Sequence, residues 1–262
     1  MLNTVCFVAF VDDASVKMWR LDDPRTPGVV PLHTEAGASA DRKTTAYQVR
    51  HWSVVRWANG NSASPLLRDP RRLARLVKTL AHIIFPCALY TIWVDTKYQL
   101  RMHPLLLIDK YMSQSGNVLT EPKIQLVVGR HPQRAGILSE IRALKEKAQL
   151  RDTVNLTALD EQYATYSAEG VERDGPSGMS DTALLIRYAS ALVQRFGCAW
   201  YNELKVFDHT RDQPSFQYLL QKWFEVSDKN ASVRMINRCE WTRSYIEHGH
   251  NIRHGISTRS KK

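Results

Sequence analysis

Long apolar runs are missing from this sequence: none approaches the roughly 18–20 residues needed to cross a bilayer, and no basic-then-apolar leader follows Met1. On those grounds the chain is expected to be soluble. Cysteine is scarce, and Cys6, Cys87, Cys198 and Cys239 are widely scattered, without a CxxC pair or zinc-finger spacing. Disulfides are permitted by the even count and not required by it. Several catalytic signatures are absent as well. There is no Walker A loop and no GxGxxG, so nucleotide hydrolysis and a dinucleotide cofactor find no support. "GPSGMS" has Met179 where a GxSxG nucleophile elbow needs its second glycine. Internal repeats and low-complexity tracts are also lacking.

What the chain does have is positive charge. Its 36 Lys and Arg against 26 Asp and Glu leave a formal net charge of +10, concentrated in "RDPRRLARLVK" and the C-terminal "NIRHGISTRSKK". Such a balance favours anionic partners. No nucleic-acid-binding motif accompanies it, so a nucleic-acid partner is not expected. The tripeptides "NLT" at Asn155 and "NAS" at Asn230 are glycosylation sequons compatible with a secretory lumen.

Along the chain, "TVCFVAFVD" (Thr4 to Asp12) reads as a buried strand. Asp22 to Thr45, rich in Pro, Gly, Ala and Thr, reads as loop, and Tyr47 to Trp57 resumes strand character. Leu73, Leu76, Val77, Leu80, Ile83 and Ile84 fall at helical spacing, with Asp69 before Pro70 as the start and Pro86 as the stop. "CALYTIWVDTKYQL" then reads as a core strand with a charged tip. "MHPLLLIDKYM" reads as a helix, Lys123 to His131 as a strand, and Gly136 to about Leu150 as a helix. "DTALLIRY" is left open between strand and helix, and "CAWYNELKVFDHTRDQPSFQYLLQKWF" ends in a helix. Alternating strands and helices predict an α/β fold: a mostly parallel sheet with helices on both faces and ligands beyond the strands' carboxyl ends. Residues 1–240 are expected to form one domain, and 241–262 a basic, flexible tail.

Five constellations carry chemistry. Asp95, Lys97 and Gln99 follow one another at alternate positions past a strand tip; Asp95 is either a turn residue or a carboxylate for a divalent cation or a sugar hydroxyl. Arg130 and His131 end a second strand in the same way. Lys78 and His82, four apart, share a helical face as either a solvated basic surface or a clamp for a diphosphate. Trp200, Asn202, Glu203, Asp208, His209, Arg211, Asp212 and Gln213 crowd one aromatic-flanked segment, the mixture that lines carbohydrate sites. In the tail, His248, His250 and His254 lie close enough for one of them, His248, to complete a metal site built elsewhere.

"KTLAHIIFPCALYTIWVDTKYQL" and "WYNELKVFDHTRDQPSF", in that order, resemble a plant and bacterial glycosyltransferase-like domain family. It holds mucilage-related hexosyltransferases, and an alkaline ceramidase activity is attributed to one member. "GRH" at Gly129 to His131 and "MINRCE" at Met235 to Glu240 fit more loosely. The resemblance spans nearly the whole chain and implies a GT-A-like, nucleotide-sugar-binding fold. It implies transfer of a hexosyl unit from a nucleotide sugar to a glycan acceptor in the Golgi or secretory lumen. Asp95 and Lys97 stand where many such enzymes carry Asp-x-Asp. Lys97 departs from that motif, which weakens the expectation of Mn²⁺ or Mg²⁺ at Asp95. Lys78 and His82 would then lie near the diphosphate, which Lys97 could itself neutralise; Gln99, Arg130 and His131 are further expected substrate-binding residues. Trp200, Asn202, Glu203, Arg211 and Gln213 would face the sugars, with Asp212 as general base. Relatives carry an earlier strand unit and often a membrane anchor, so a truncated N-terminus is expected here, with membrane contact only through an anchor absent from this chain. The alternatives are a ceramidase-like lipid amidase and a non-catalytic carbohydrate-binding protein.

Overall fold

The computed structural model describes residues 5–11, 13–23, 25–35, 43–56, 70–96, 98–113, 122–151, 155–171, 178–207, 211–224, 232–237, 240 and 245–247. The chain divides into two compact units, Met1–Arg75 and Leu76–Lys262.

The first unit is a four-stranded sheet in the order β1-β4-β3-β2, made of β1 (Phe7–Val11), β2 (Val29–Glu35), β3 (Lys43–Val49) and β4 (Trp52–Arg56), with α1 at Asp13–Met18. β1 pairs parallel with β4; the other two pairings are antiparallel. β2 corrects the loop expected over 22–45. Its Pro31 has no N–H to give a ladder, but β2 lies at the sheet edge, where one side needs none. Cross-strand pairing with β3 supplies what strand propensity does not. Val16, Leu21, Tyr47 and Val54 make a small core. The Tyr47 hydroxyl donates to Asp22, and burial together with that carboxylate pushes it up to about 12.

The second unit is built on the sheet β5-β8-β7-β9, from β5 (Tyr90–Val94), β7 (Leu126–Arg130), β8 (Ser180–Tyr188) and β9 (Val233–Ile236). "DTALLIRY" is therefore a strand, buried along most of its length because it is central. β8 runs antiparallel to both neighbours, and only β7 and β9 pair in parallel. The mostly parallel sheet expected from sequence is thus corrected to a mixed one. Between β7 and β8 lie two helices, α5 (Ile137–Arg151) and α6 (Leu156–Ala168), the second unanticipated. After these helices the chain enters β8 at the end of the sheet where β7 finished, so β8 runs the other way. Asn155, read as a sequon, caps α6 by accepting from the Ala158 N–H.

Period-two alternation assigns each face its partners. Leu126, Val128 and Leu185 pack with α5, α6, α7 (Ala191–Val206) and α8 (Gln213–Trp223), while Val127, Leu184 and Ile186 pack with α4 (Pro104–Tyr111). Helices do cover both faces. α2 (Pro70–Thr79) starts at the anticipated proline but ends before α3 (Ala81–Ile84), because Leu80 leaves helical geometry at φ −102°, ψ 29°. β6 (Tyr98–Leu100) pairs antiparallel with β10 (Tyr245–Glu247), which falls in the stretch expected as a tail. No described helix is long and apolar enough to cross a membrane.

Candidate functional site

The reversed direction of β8 brings its N-terminal residues to the carboxyl ends of β5 and β7: the Asp95 N–H donates to the Ala183 carbonyl, and Arg130 pairs with Ser180. The start of α8 and the end of α2 meet at this edge. Lys78, in the last turn of α2, sends its ammonium group inward, donating to Asp212 Oδ2 at 2.6 Å and to Thr182 Oγ1 at 2.9 Å. Asp95 Oδ1 is 3.9 Å from the same nitrogen. The ammonium also lies 5.7 Å from the centroid of the Trp93 ring and 5.8 Å from that of Trp200, within the range of cation–π attraction.

Each member is held by a second contact. Trp93 and Asp95 are two apart at the end of β5, hence on one face, and the indole N–H donates to Asp95 Oδ1 at 2.7 Å. Asp212 occupies the N-cap of α8, yet its side chain makes no capping bond. The carboxylate turns instead to Lys78 and to the Thr182 hydroxyl, which donates at 3.2 Å, while the Asp212 carbonyl accepts from Trp200 Nε1 at 3.0 Å. Exposure grades outward: the Lys78 side chain is 6% exposed, Asp212 16% and Asp95 35%. One ammonium against two carboxylates leaves the trio with a net charge of −1, open to solvent mainly at Asp95 (+1 − 2 = −1). Partly exposed carboxylate oxygens of this kind can accept hydrogen bonds from hydroxyl groups.

The structure gathers Lys78, Asp95, Asp212 and Trp200 from the expected residues, although Trp200 is buried beneath the site and presents no open face to a sugar. Arg211 is exposed just before Asp212, and half-buried Gln213 begins α8. Arg130 is exposed at the end of β7; His131 folds back to accept the Gln133 N–H on Nδ1 at 3.1 Å. The break at Leu80 corrects the idea that Lys78 and His82 share one helical face. His82 instead packs beside Arg187 and Cys198, its Nε2 3.4 Å from Cys198 Sγ. Glu203 lies on α7, where it accepts from the Tyr166 hydroxyl at 2.6 Å in a network with Gln162 and Ser215. Desolvation and that carboxylate push the Tyr166 phenol far up, so it stays a donor. Asn202 points into solvent on the same helix. Gln99 lies in β6, opposite Ile246. Lys97, Asp208, His209 and His248 lie outside the described residues.

Sequence reading missed Thr182 and Trp93. The Trp-x-Asp spacing at a strand end carried the signal for Trp93; nothing local distinguished Thr182. Among the described residues no group of three or more His, Cys, Asp or Glu gathers as a metal site.

Comparison with known proteins places the geometry in context. The chain is 25% identical over 258 residues to the "Alkaline ceramidase TOD1" of Arabidopsis thaliana, covering 96% of this chain and 49% of that protein. It is 26% identical over 258 residues to the "Probable hexosyltransferase MUCI70" of the same plant, covering 95% of this chain and 37% of that protein. The chain therefore spans about half or less of the curated relatives it matches. No solved structure matches it. A family model described as TOD1/MUCI70, glycosyltransferase-like domain, matches residues 1–250, and the chain belongs to that family.

Proposed function

We propose that this domain transfers a hexosyl unit from a nucleotide sugar to a glycan hydroxyl, with Asp95 as the general base and a GT-A-like placement of the donor at the edge where β5, β7 and β8 meet. Family membership and the similarity to a probable hexosyltransferase support the reaction class. The observation that carries the site is the graded trio of buried Lys78, part-buried Asp212 and half-exposed Asp95. Roles follow from exposure. Asp212 spends Oδ2 on Lys78 and Thr182 and so fixes the floor of the site, whereas Asp95 faces solvent and can accept the proton of an acceptor hydroxyl. That hydroxyl oxygen bonds to the anomeric carbon as the carbon's bond to the diphosphate breaks, and the electron pair leaves with the nucleoside diphosphate.

Lys78 is too buried and too fully paired to meet that leaving group directly. Exposed Arg130, at the tip of β7, and exposed Arg211, beside Asp212, are the cations at hand for it. Asp95 is a poor anchor for Mn²⁺ or Mg²⁺: Oδ1 accepts the Trp93 indole N–H beside an ammonium 3.9 Å away. The Golgi or secretory lumen is the compartment in which glycan acceptors of this kind are met.

Amide hydrolysis is the second reading, favoured by one contact: Thr182 Oγ1 sits 2.9 Å from Lys78 Nζ, the pairing of a hydroxyl nucleophile with a lysine base. Against it, Thr182 is 2% exposed and the Lys78 ammonium is ion-paired with Asp212, so the nucleophile is shut in and its partner lysine is already engaged. The test is a panel of nucleoside diphosphate sugars incubated with glycan acceptors, scored for released nucleoside diphosphate and transferred sugar. Asp95→Asn should lower transfer by about 10²–10⁴-fold with the fold retained, the range for loss of a general base. Turnover of ceramide that Thr182→Val abolishes, with no transfer from any donor, would replace this reading with the second.

A further inference from the structure

Behind the site, at the opposite end of β8, lies a buried positive charge with no counter-charge among the described residues. Arg187 is 8% exposed, and its Nη1 donates to the Lys78 backbone carbonyl. Its Nε finds no acceptor, and among the described residues no carboxylate lies within ion-pair distance of the guanidinium. Burial pulls the group down to about 10, so it remains a cation at neutral pH. The neighbouring His82 carries no negative charge in either protonation state; burial and the Arg187 charge both hold that imidazole toward its neutral form, so it adds no second cation. An unpaired buried ion is strongly disfavoured, so a counter-ion must come from elsewhere.

The space for one is present. Arg187 lines a cleft with His82, Thr91, Tyr188 and Gln194. The region open to the centre of a water-sized particle is about 20 Å³, enough for one such particle and too small for phosphate or a sugar. Exposed Gln194 at its margin gives a way in, and the first turn of α7 reaches the cleft through Val193 and Gln194, whose own N–H groups are already taken by Ser190. A water could satisfy the Nε–H but would leave the charge uncompensated.

We propose that this cleft between α3, β5, β8 and α7 binds a single halide-sized monovalent anion, chloride under ordinary conditions, as the counter-ion of Arg187. Because Arg187 also holds the carbonyl of Lys78, the bound anion steadies the end of α2, from which the Lys78 ammonium reaches Asp212. The site stands independently of the transfer reaction, since it holds no substrate.

The test measures thermal unfolding of the full chain in potassium chloride, bromide and gluconate at one ionic strength. Chloride and bromide should raise the midpoint saturably over gluconate, by a few degrees, and Arg187→Met should abolish the difference while leaving a folded protein. Identical midpoints in chloride and gluconate, or a difference that survives in Arg187→Met, would overturn the proposal. If Arg187→Met does not fold, wild-type crystals soaked in bromide decide the matter. An anomalous peak within hydrogen-bond reach of Arg187 Nε supports the site, and an empty cleft rejects it.

Discussion

Lys78 shows how one buried charge organises a surface. Its ammonium is nearly sealed from water and makes its shortest contact with Asp212, so each partner makes the other's burial tolerable. Removing either should cost more than the pair is worth. Asp212→Asn or Lys78→Met alone should destabilise the second unit by about 2–4 kcal/mol, because one charge is left buried and unpaired. The double variant should recover most of that loss, while transfer stays abolished in all three. Urea titration of the four proteins reads the coupling directly, and additive losses would mean that the pair does not act as a unit. His82 offers a different residue-scale readout. Desolvation, then the Arg187 charge, lower its folded pKa below the unfolded value of 6.5. The unfolded chain therefore binds the proton more readily, and His82 contributes stability above pH 6.5 that is lost as pH falls through its folded value. Stability curves between pH 7 and 5 should fall less steeply in His82→Gln than in wild type.

Elements were legible from sequence where a local pattern decided them, and illegible where pairing did. Pro70 and Pro86 bracketed α2 and α3, and continuous apolar runs marked β5 and β7. β2 was lost because an edge strand tolerates proline, and the direction of β8 because two helices before a strand leave no local trace. The same limit applied to the site. The residues Lys78, Asp95 and Asp212 could be named from their segments, but their meeting depends on β8 being reversed, which brings Thr182 between them. The sequence pattern alone makes the aromatic-flanked segment one sugar lining, whereas α7 puts Trp200 and Glu203 into internal contacts and leaves Asn202 in water. One element-scale contact has a sharp consequence. A Cβ at Gly197, in the middle of α7, would lie 2.6 Å from the Thr79 carbonyl and about 3.1 Å from the His82 ring. The glycine is there for close approach of α7 to the end of α2. Gly197→Ala gains intrinsic helix propensity, by about 1 kcal/mol, yet the clash is with backbone and cannot be relieved by a rotamer. A net loss of about 1–2 kcal/mol is expected, together with lowered transfer as α2 shifts Lys78. Unchanged melting and transfer in this variant would show that α7 and α2 can separate freely.

At the scale of the whole chain, the described residues of the two units differ greatly in how much they bury. Met1–Arg75 closes over Val16, Leu21, Tyr47 and Val54. Leu76–Lys262 buries two clusters on opposite faces of one sheet, with Phe196, Trp200 and Phe216 stacked edge to face or tilted in the larger. Apolar burial is the main favourable term in folding, so a small core leaves little margin over chain entropy. Local stability should follow. Native-state hydrogen exchange should release the backbone amides of β3 and β4 at a lower opening free energy than those of β7 and β8, which lie at the centre of the second sheet. Mild denaturant should widen that gap if the units open separately. The polar ties of the first unit, Tyr47 and Arg56 converging on Asp22, sharpen the expectation. Asp22→Asn should accelerate exchange in β3 and β4 and leave β7 and β8 unaffected. Equal protection of the two sheets in wild type, or coincident loss from both in Asp22→Asn, would mean that the chain opens as one cooperative body and that the small core draws its stability from the large one.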